Sequence, residues 1–201
     1  MSKFRKVEVR RQKRILDDFF KVDEVLVSYQ HNDGTMGPAE RRFIFERGDA
    51  AAIMLLNVDR ASAVLVDQFK VPSLIGRQRD DPGTMDGWIT EAIAGMVDPK
   101  ETPEQTIVRE TMEETGYRIE NPRLFSKFFS SPGGTSERIF LYFAEVRGTD
   151  RIRDGGGLDG ENITVVHLPL KDLFERLANG SIEDPKLVIG AYWLKEHLRQ
   201  A

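Results

Sequence analysis

The chain has 201 residues, 40% of them hydrophobic and 31% charged, with a net charge of −4 and no cysteine. That length suits one large domain or a medium one with a small companion. The lack of cysteine excludes disulfides, thiolate metal sites and a cysteine nucleophile, no apolar run is long enough to span a bilayer, and the acidic balance argues against a general nucleic-acid binder.

The charged N-terminal stretch shows no signal peptide, so the expectation is a cytoplasmic protein with no nucleic-acid or membrane partner. Residues 22–30 read as a strand closed by the turn Asn32-Asp33-Gly34, and 41–47 as a second strand alternating around Phe43 and Phe45. Gly48 and Asp49 punctuate. Two largely apolar strands follow, 51–57 and 63–69. The stretch 71–88, rich in Arg, Asp, Gly and Pro, reads as an irregular connector, long enough to serve as a lid or contact element. Residues 89–94 form a strand leading into Gly95. Beyond a central helix come strands at 123–130 and 138–146, a glycine-rich loop, a strand at 163–169, and helices at about 170–178 and 184–198. This succession predicts an α+β fold with mixed sheets. The boundary falls near Gly48: residues 1–48 form a β-rich element too small to bury a core alone, and 49–201 form the main domain.

The most informative run lies between Gly95 and Tyr117. Its spacing is glycine, five residues, Glu101, seven residues, Arg109-Glu110, two residues, Glu113-Glu114, one residue, Gly116. Thr102, Pro103 and Gln105 make a capping-box helix start, and Gly116 a stop, so a helix over about 103–115 is predicted. On it Ile107, Val108, Thr111, Met112 and Thr115 share one side, while Glu110, Glu113 and Glu114 share the other. Glu110 and Glu114 repel at four residues' separation, and Arg109 relieves only part of this. Three glutamates alone would read as a solvated face. With a turn glycine, Glu101 and Arg109 at fixed spacing, they read instead as a hard-oxygen site for Mg²⁺ or Mn²⁺.

This run resembles the Nudix box, and the chain resembles Nudix hydrolases over nearly its whole length. It is most similar to the branch that cleaves nucleoside diphosphate sugars, the ADP-ribose and GDP-mannose pyrophosphatases. The resemblance implies the Nudix α/β/α sandwich with mixed sheets, plus a small N-terminal antiparallel sheet through which two copies form a homodimer. One box position departs: Thr111 stands where the family has an aliphatic residue, on the apolar side and away from the charges.

The resemblance also implies roles. Glu110 and Glu114 would be the main metal ligands, assisted by Glu113 and the Ala94 carbonyl. Arg109 and Glu101 would brace the helix and loop. Glu161 would orient or deprotonate the attacking water, with Asp159 second to it, on a loop whose glycines 155–157 read as a flexible hinge. Glu91, and Ser131, Gly133 and Glu137 in the 131–137 turn, match substrate-binding segments, and the 180–186 tail looks more like the GDP-mannose enzymes. Phe19 either stacks on the base or packs in the N-terminal core. Arg41, Arg42 and Arg47 are candidates for phosphate contacts. Lys70 replaces an arginine that relatives carry, which loses bidentate geometry. His31, His167 and His197 lack metal-ligand spacing. The expected reaction is metal-dependent hydrolysis of a nucleotide sugar to a nucleoside monophosphate and a sugar phosphate. Alternatives are another nucleotide substrate, such as a dinucleoside polyphosphate, coenzyme A or a triphosphate, or a catalytically silent nucleotide-binding module.

Overall fold

The computed structural model describes residues 5–158 and 160–200. It divides into two compact units, Met1–Asp49 with Phe128–Arg138, and Ala50–Lys127 with Ile139–Ala201.

The first unit is built on an antiparallel sheet of β1 (Val7–Asp17), β2 (Lys21–Tyr29) and β3 (Glu40–Glu46), with β2 central. Every residue of β1 is exposed, whereas β2 buries Asp23, Val25 and Ser28. Asp23 is taken up by Arg14 and by Gln12 Nε2 at 3.0 Å, so a buried carboxylate ties β1 to β2. Residues 128–138 join this unit through backbone and ion pairs: the Phe45 N–H donates to the Gly134 carbonyl at 2.8 Å, and Arg47 Nε lies 3.1 Å from Glu137 Oε1.

The second unit contains β4 (Ala50–Asn57), β5 (Ser62–Phe69), α1 (Val71–Arg77), β6 (Trp88–Glu91), β7 (Ile93–Met96), α2 (Pro103–Thr115), β10 (Ile163–Pro169), α3 (Leu170–Asn179) and α4 (Pro185–Gln200), with all of β8 (Arg123–Phe129) but its last two residues and all of β9 (Arg138–Val146) but its first. Its seven-stranded sheet runs β10-β5-β4-β9-β8, with β6 beside β5 and β7 beside β4. The pairing is mixed, since β4 runs parallel to β9 and antiparallel to β5 and β7. β4 is buried along its whole length, as a strand covered on both faces must be. Its alternate side chains feed two cores. Ala51, Ile53 and Leu55 pack with Ile107 of α2 and with Tyr117. Met54 and Leu56 pack with Leu173 and Leu177 of α3 and Leu187, Ala191 and Leu194 of α4. The result is helices on both faces of a mixed sheet, as the fold-class expectation has it.

Two expectations are corrected. The connector 71–88 is not irregular throughout: it opens with α1, and the Lys70 N–H donates to the Gly87 carbonyl at 2.9 Å, so its ends are tied together. The strand at 89–94 is two strands, broken at Ala92, whose N–H leaves the ladder for the Asp184 carboxylate at 3.0 Å.

Candidate active site

α2 forms where its caps dictate. The Thr102 side chain accepts from the Gln105 N–H and Gln105 Oε1 from the Thr102 N–H, while Gly116 closes the helix at φ 74°. The glycine-rich loop docks on that end. The N–H groups of Gly156 and Gly157 donate to the Glu114 and Glu113 carbonyls at 2.8 and 3.0 Å, and Arg153 Nε to the Met112 carbonyl at 3.0 Å. These bonds occupy carbonyls that a helix end otherwise leaves bare. Glycines 155–157, expected as a flexible hinge, are therefore a hydrogen-bonded helix cap.

The acidic side of α2 is not a solvated face. Glu114 is 7% exposed, and its Oε2 is buried without a partner among the described residues. Arg109 gathers the others: Nε and Nη2 each donate to Glu101 at 3.0 Å, and Nη1 to Glu110 and Glu113 at 2.9 Å. Thr106 Oγ1 adds a bond to Glu101 at 2.9 Å. Arg109 hydrogen bonding holds Glu101 below the ordinary glutamate range. Burial lifts Glu110, with Arg109 opposing and Glu113 and Glu161 adding to the rise. Burial, then Glu110 and Glu91, push Glu114 up to about 8; Lys70 opposes and Glu161 adds to the rise. Gly95, on β7, lies against Glu110, and any Cβ there would collide with that carboxylate.

Glu161 accepts from the Leu158 N–H at 2.9 Å within its own loop; Asp159 lies outside the described residues. Glu91, at the end of β6, is held between two ammonium groups, Lys70 at 3.2 Å and Lys186 at 3.1 Å. Lys70 also bonds Gln68. Lys186 was not singled out from sequence, nor was its second partner Asp184; the side chains that meet here come from chain segments about 95 residues apart, and only the Asp184-Pro185 helix start is a local signal.

The remaining candidates belong to the first unit. Phe19 is 83% exposed, with its ring centroid 4.7 Å from that of Phe20, so it does not pack in a core. Arg41 reaches Glu24 at 3.4 Å and lies over the Phe43 ring, and Arg42 pairs with Glu40. The Ser131 carbonyl accepts from the Gly134 and Thr135 N–H groups at 3.0 Å. Glu137 is buried against Arg47. Arg42, Phe43, Phe129, Gly133 and Ser136 line a cleft of ≈ 470 Å³. Of the histidines, His31 packs on Tyr29, His167 edge-on to Tyr117 and His197 on Trp193.

As they stand, no three His, Asp or Glu side chains among the described residues gather closely enough to hold a metal ion. The donor set nevertheless fits a hard divalent cation: it is all oxygen, Glu114 offers a buried and unpartnered Oε2, and Gly95 leaves room beside Glu110.

Residues 46–188 match the NUDIX domain family. A GDP-mannose pyrophosphatase of Cronobacter sakazakii (strain ATCC BAA-894) is 33% identical over 193 residues, 96% of this chain and 95% of that protein. GDP-mannose pyrophosphatases of Enterobacter sp. (strain 638) and Yersinia pestis (strain Pestoides F) are 30% and 32% identical, over 94% and 90% of this chain and 95% and 87% of theirs. A solved structure described as an ADP compounds hydrolase superposes with a TM-score of 0.72, covering 100% of this chain and 98% of that one at 16% identity, a likeness of fold.

The raised Glu114 fixes a sign for stability in the metal-free protein. The folded state holds this proton more tightly than the unfolded chain, so the stabilisation is complete below 4.5 and is lost as pH rises through about 8. In chelator, the unfolding midpoint should fall over that window. Glu114→Gln should flatten the fall, leaving the smaller share of Glu110, which shifts the same way; an identical pH profile in the variant would contradict the burial of this carboxylate.

Proposed function

The chain belongs to the NUDIX domain family, and we propose that it hydrolyses the diphosphate bond of a nucleoside diphosphate sugar, GDP-mannose ahead of ADP-ribose, to a nucleoside monophosphate and a sugar phosphate. The observation that carries this is the near full-length similarity to relatives named GDP-mannose pyrophosphatase, in a chain that has kept every charged residue of the box. A silent binding module would be expected to have lost box carboxylates.

A phosphoanhydride resists attack because anionic oxygens shield its phosphorus. Mg²⁺ or Mn²⁺, when bound, neutralises that charge and makes bound water more nucleophilic. Glu110 and Glu114 would hold the ion, with Glu113 and the Ala94 carbonyl assisting. Arg109, clamped to Glu101, keeps Glu110 and Glu113 in place. Glu161, near enough to raise both Glu110 and Glu114, takes the proton of the attacking water. Lys70 would contact the diphosphate end of the substrate, and Glu91, paired with it at 3.2 Å, would contact the substrate beside it; both act electrostatically on Glu114. Phe19, Arg41, Arg42, Ser131, Gly133 and Glu137, in the first unit, are proposed as substrate contacts on the sequence resemblance alone.

In the same reading the protein is a cytoplasmic homodimer without nucleic-acid or membrane partners. Its lack of cysteine suits a reducing compartment, and no helix among the described residues is long and apolar enough to cross a membrane. β1 exposes Val7, Val9, Ile15 and Leu16, apolar side chains that a second copy would cover. Deleting residues 1–48 should abolish dimerisation or solubility in sedimentation; a stable, active monomer would overturn the dimer.

A substrate panel with products identified by mass tests the reaction. kcat/KM for GDP-mannose or ADP-ribose should stand well above that for nucleoside triphosphates and dinucleoside polyphosphates. Chelator should abolish turnover, and Glu114→Gln should lower it by orders of magnitude. A triphosphate leading the panel would refute the substrate class, and full activity in chelator would refute the metal.

A further inference from the structure

Asp184 does more than a helix cap requires. It is 1% exposed at the start of α4. Oδ2 accepts from the Leu187 N–H at 3.2 Å and Oδ1 from the Lys186 N–H at 3.2 Å, the two bonds of an N-cap. Each oxygen also makes a second bond. Oδ2 accepts from the Ala92 N–H at 3.0 Å, and Oδ1 from Lys186 Nζ at 2.7 Å.

Both extra bonds lead to Glu91. Ala92 is its chain neighbour and the break between β6 and β7. Lys186 Nζ sits between Asp184 Oδ1 and Glu91 Oε2, while Lys70 Nζ holds Glu91 Oε1. The four groups form an alternating row, Asp184, Lys186, Glu91 and Lys70, with two charges of each sign. Glu91 in turn acts on the buried Glu114. Taking the negative charge from Asp184 would leave Lys186 to Glu91 alone, with one more positive than negative charge in a largely buried row.

We propose that Asp184 is a positioning residue for the hydrolytic site, setting through Ala92 and Lys186 where the Glu91 carboxylate and its partner Lys70 stand. This rests on the assignment of the site in the preceding subsection. An ordinary N-cap is served as well by asparagine or serine, but here both oxygens accept backbone N–H groups, so either substitution also costs cap bonds, and the coupling to Lys186 in kcat is what separates positioning from capping. A residue that positions Glu91 through Lys186 needs the carboxylate itself.

The test uses Asp184→Asn, Asp184→Ser, Lys186→Met and the double variant Asp184→Asn/Lys186→Met, each in the full-length protein. Unfolding midpoint, kcat and KM are measured on whichever nucleotide the wild type turns over in the panel. Asp184→Asn should lower the unfolding midpoint, because it unbalances a largely buried row, and, assayed well below that midpoint where the variant is folded, should lower kcat about ten- to a hundredfold. Asp184→Ser should lose kcat at least as far. The double variant should be no slower than Lys186→Met alone, because the two residues act through one contact. Wild-type kcat in either folded Asp184 variant, or losses that multiply independently in the double variant, would overturn the proposal. Wild-type protein inactive on every nucleotide would instead overturn the proposed function, and this inference with it.

Discussion

Arg109 sets three nitrogens on three carboxylates, and the acidic side of α2 depends on it. Without that guanidinium, Glu101, Glu110 and Glu113 would face one another with Glu114 buried close by, a concentration of negative charge that a folded protein does not hold unaided. The clamp has a second consequence. Because Arg109 is spent on those three, Glu114 receives no hydrogen bond from it, and burial drives its carboxyl towards the neutral form. One glutamate is left as the place where an incoming cation makes the largest difference.

The fold supplies the burial. β4 divides two apolar cores, one under α2 and one under α3 and α4, so the box helix lies on one side of the sheet and the helix carrying Lys186 on the other. The row from Asp184 to Lys70 carries the influence of α4 to Glu91, and so towards α2. Residues distant in sequence and attached to opposite faces of the sheet thus act on one carboxylate.

What the sequence revealed was local in origin. α2 was placed at about 103–115, where it is found, because its cap and stop signals lie inside the helix and its flanks, and β4 at 51–57, one residue short of Ala50–Asn57, because both faces demand apolar side chains. The carboxylates of α2 were legible as a group, but the expectation that Glu114 shares the outer side with Glu110 and Glu113 is corrected: seven residues on from Ile107 it lies about 20° from it, and it is buried on that side with Ile107, Thr111 and Thr115. α1 was missed because seven residues containing Pro72 and Gly76 carry no helical period. β1 was missed because its charged, fully exposed residues lack the alternation that marks a half-buried strand. The break at Ala92 has no turn residue to announce it, since it is made by Asp184, 92 positions away. The glycines 155–157 suggested freedom by composition, whereas their N–H groups are committed to the carbonyls of α2.

Proton release on cation binding tests most directly whether α2 keeps a buried, protonated carboxylate ready for a metal. Calorimetric titration with Mg²⁺ or Mn²⁺ near pH 7, repeated in buffers of different ionisation enthalpy, counts the protons displaced. Glu114 with a pKa of about 8 should give up close to one proton per ion bound, and Glu114→Gln should release far less. Identical heats in every buffer for the wild type would mean that Glu114 is already ionised or is not where the metal binds, and would contradict the account.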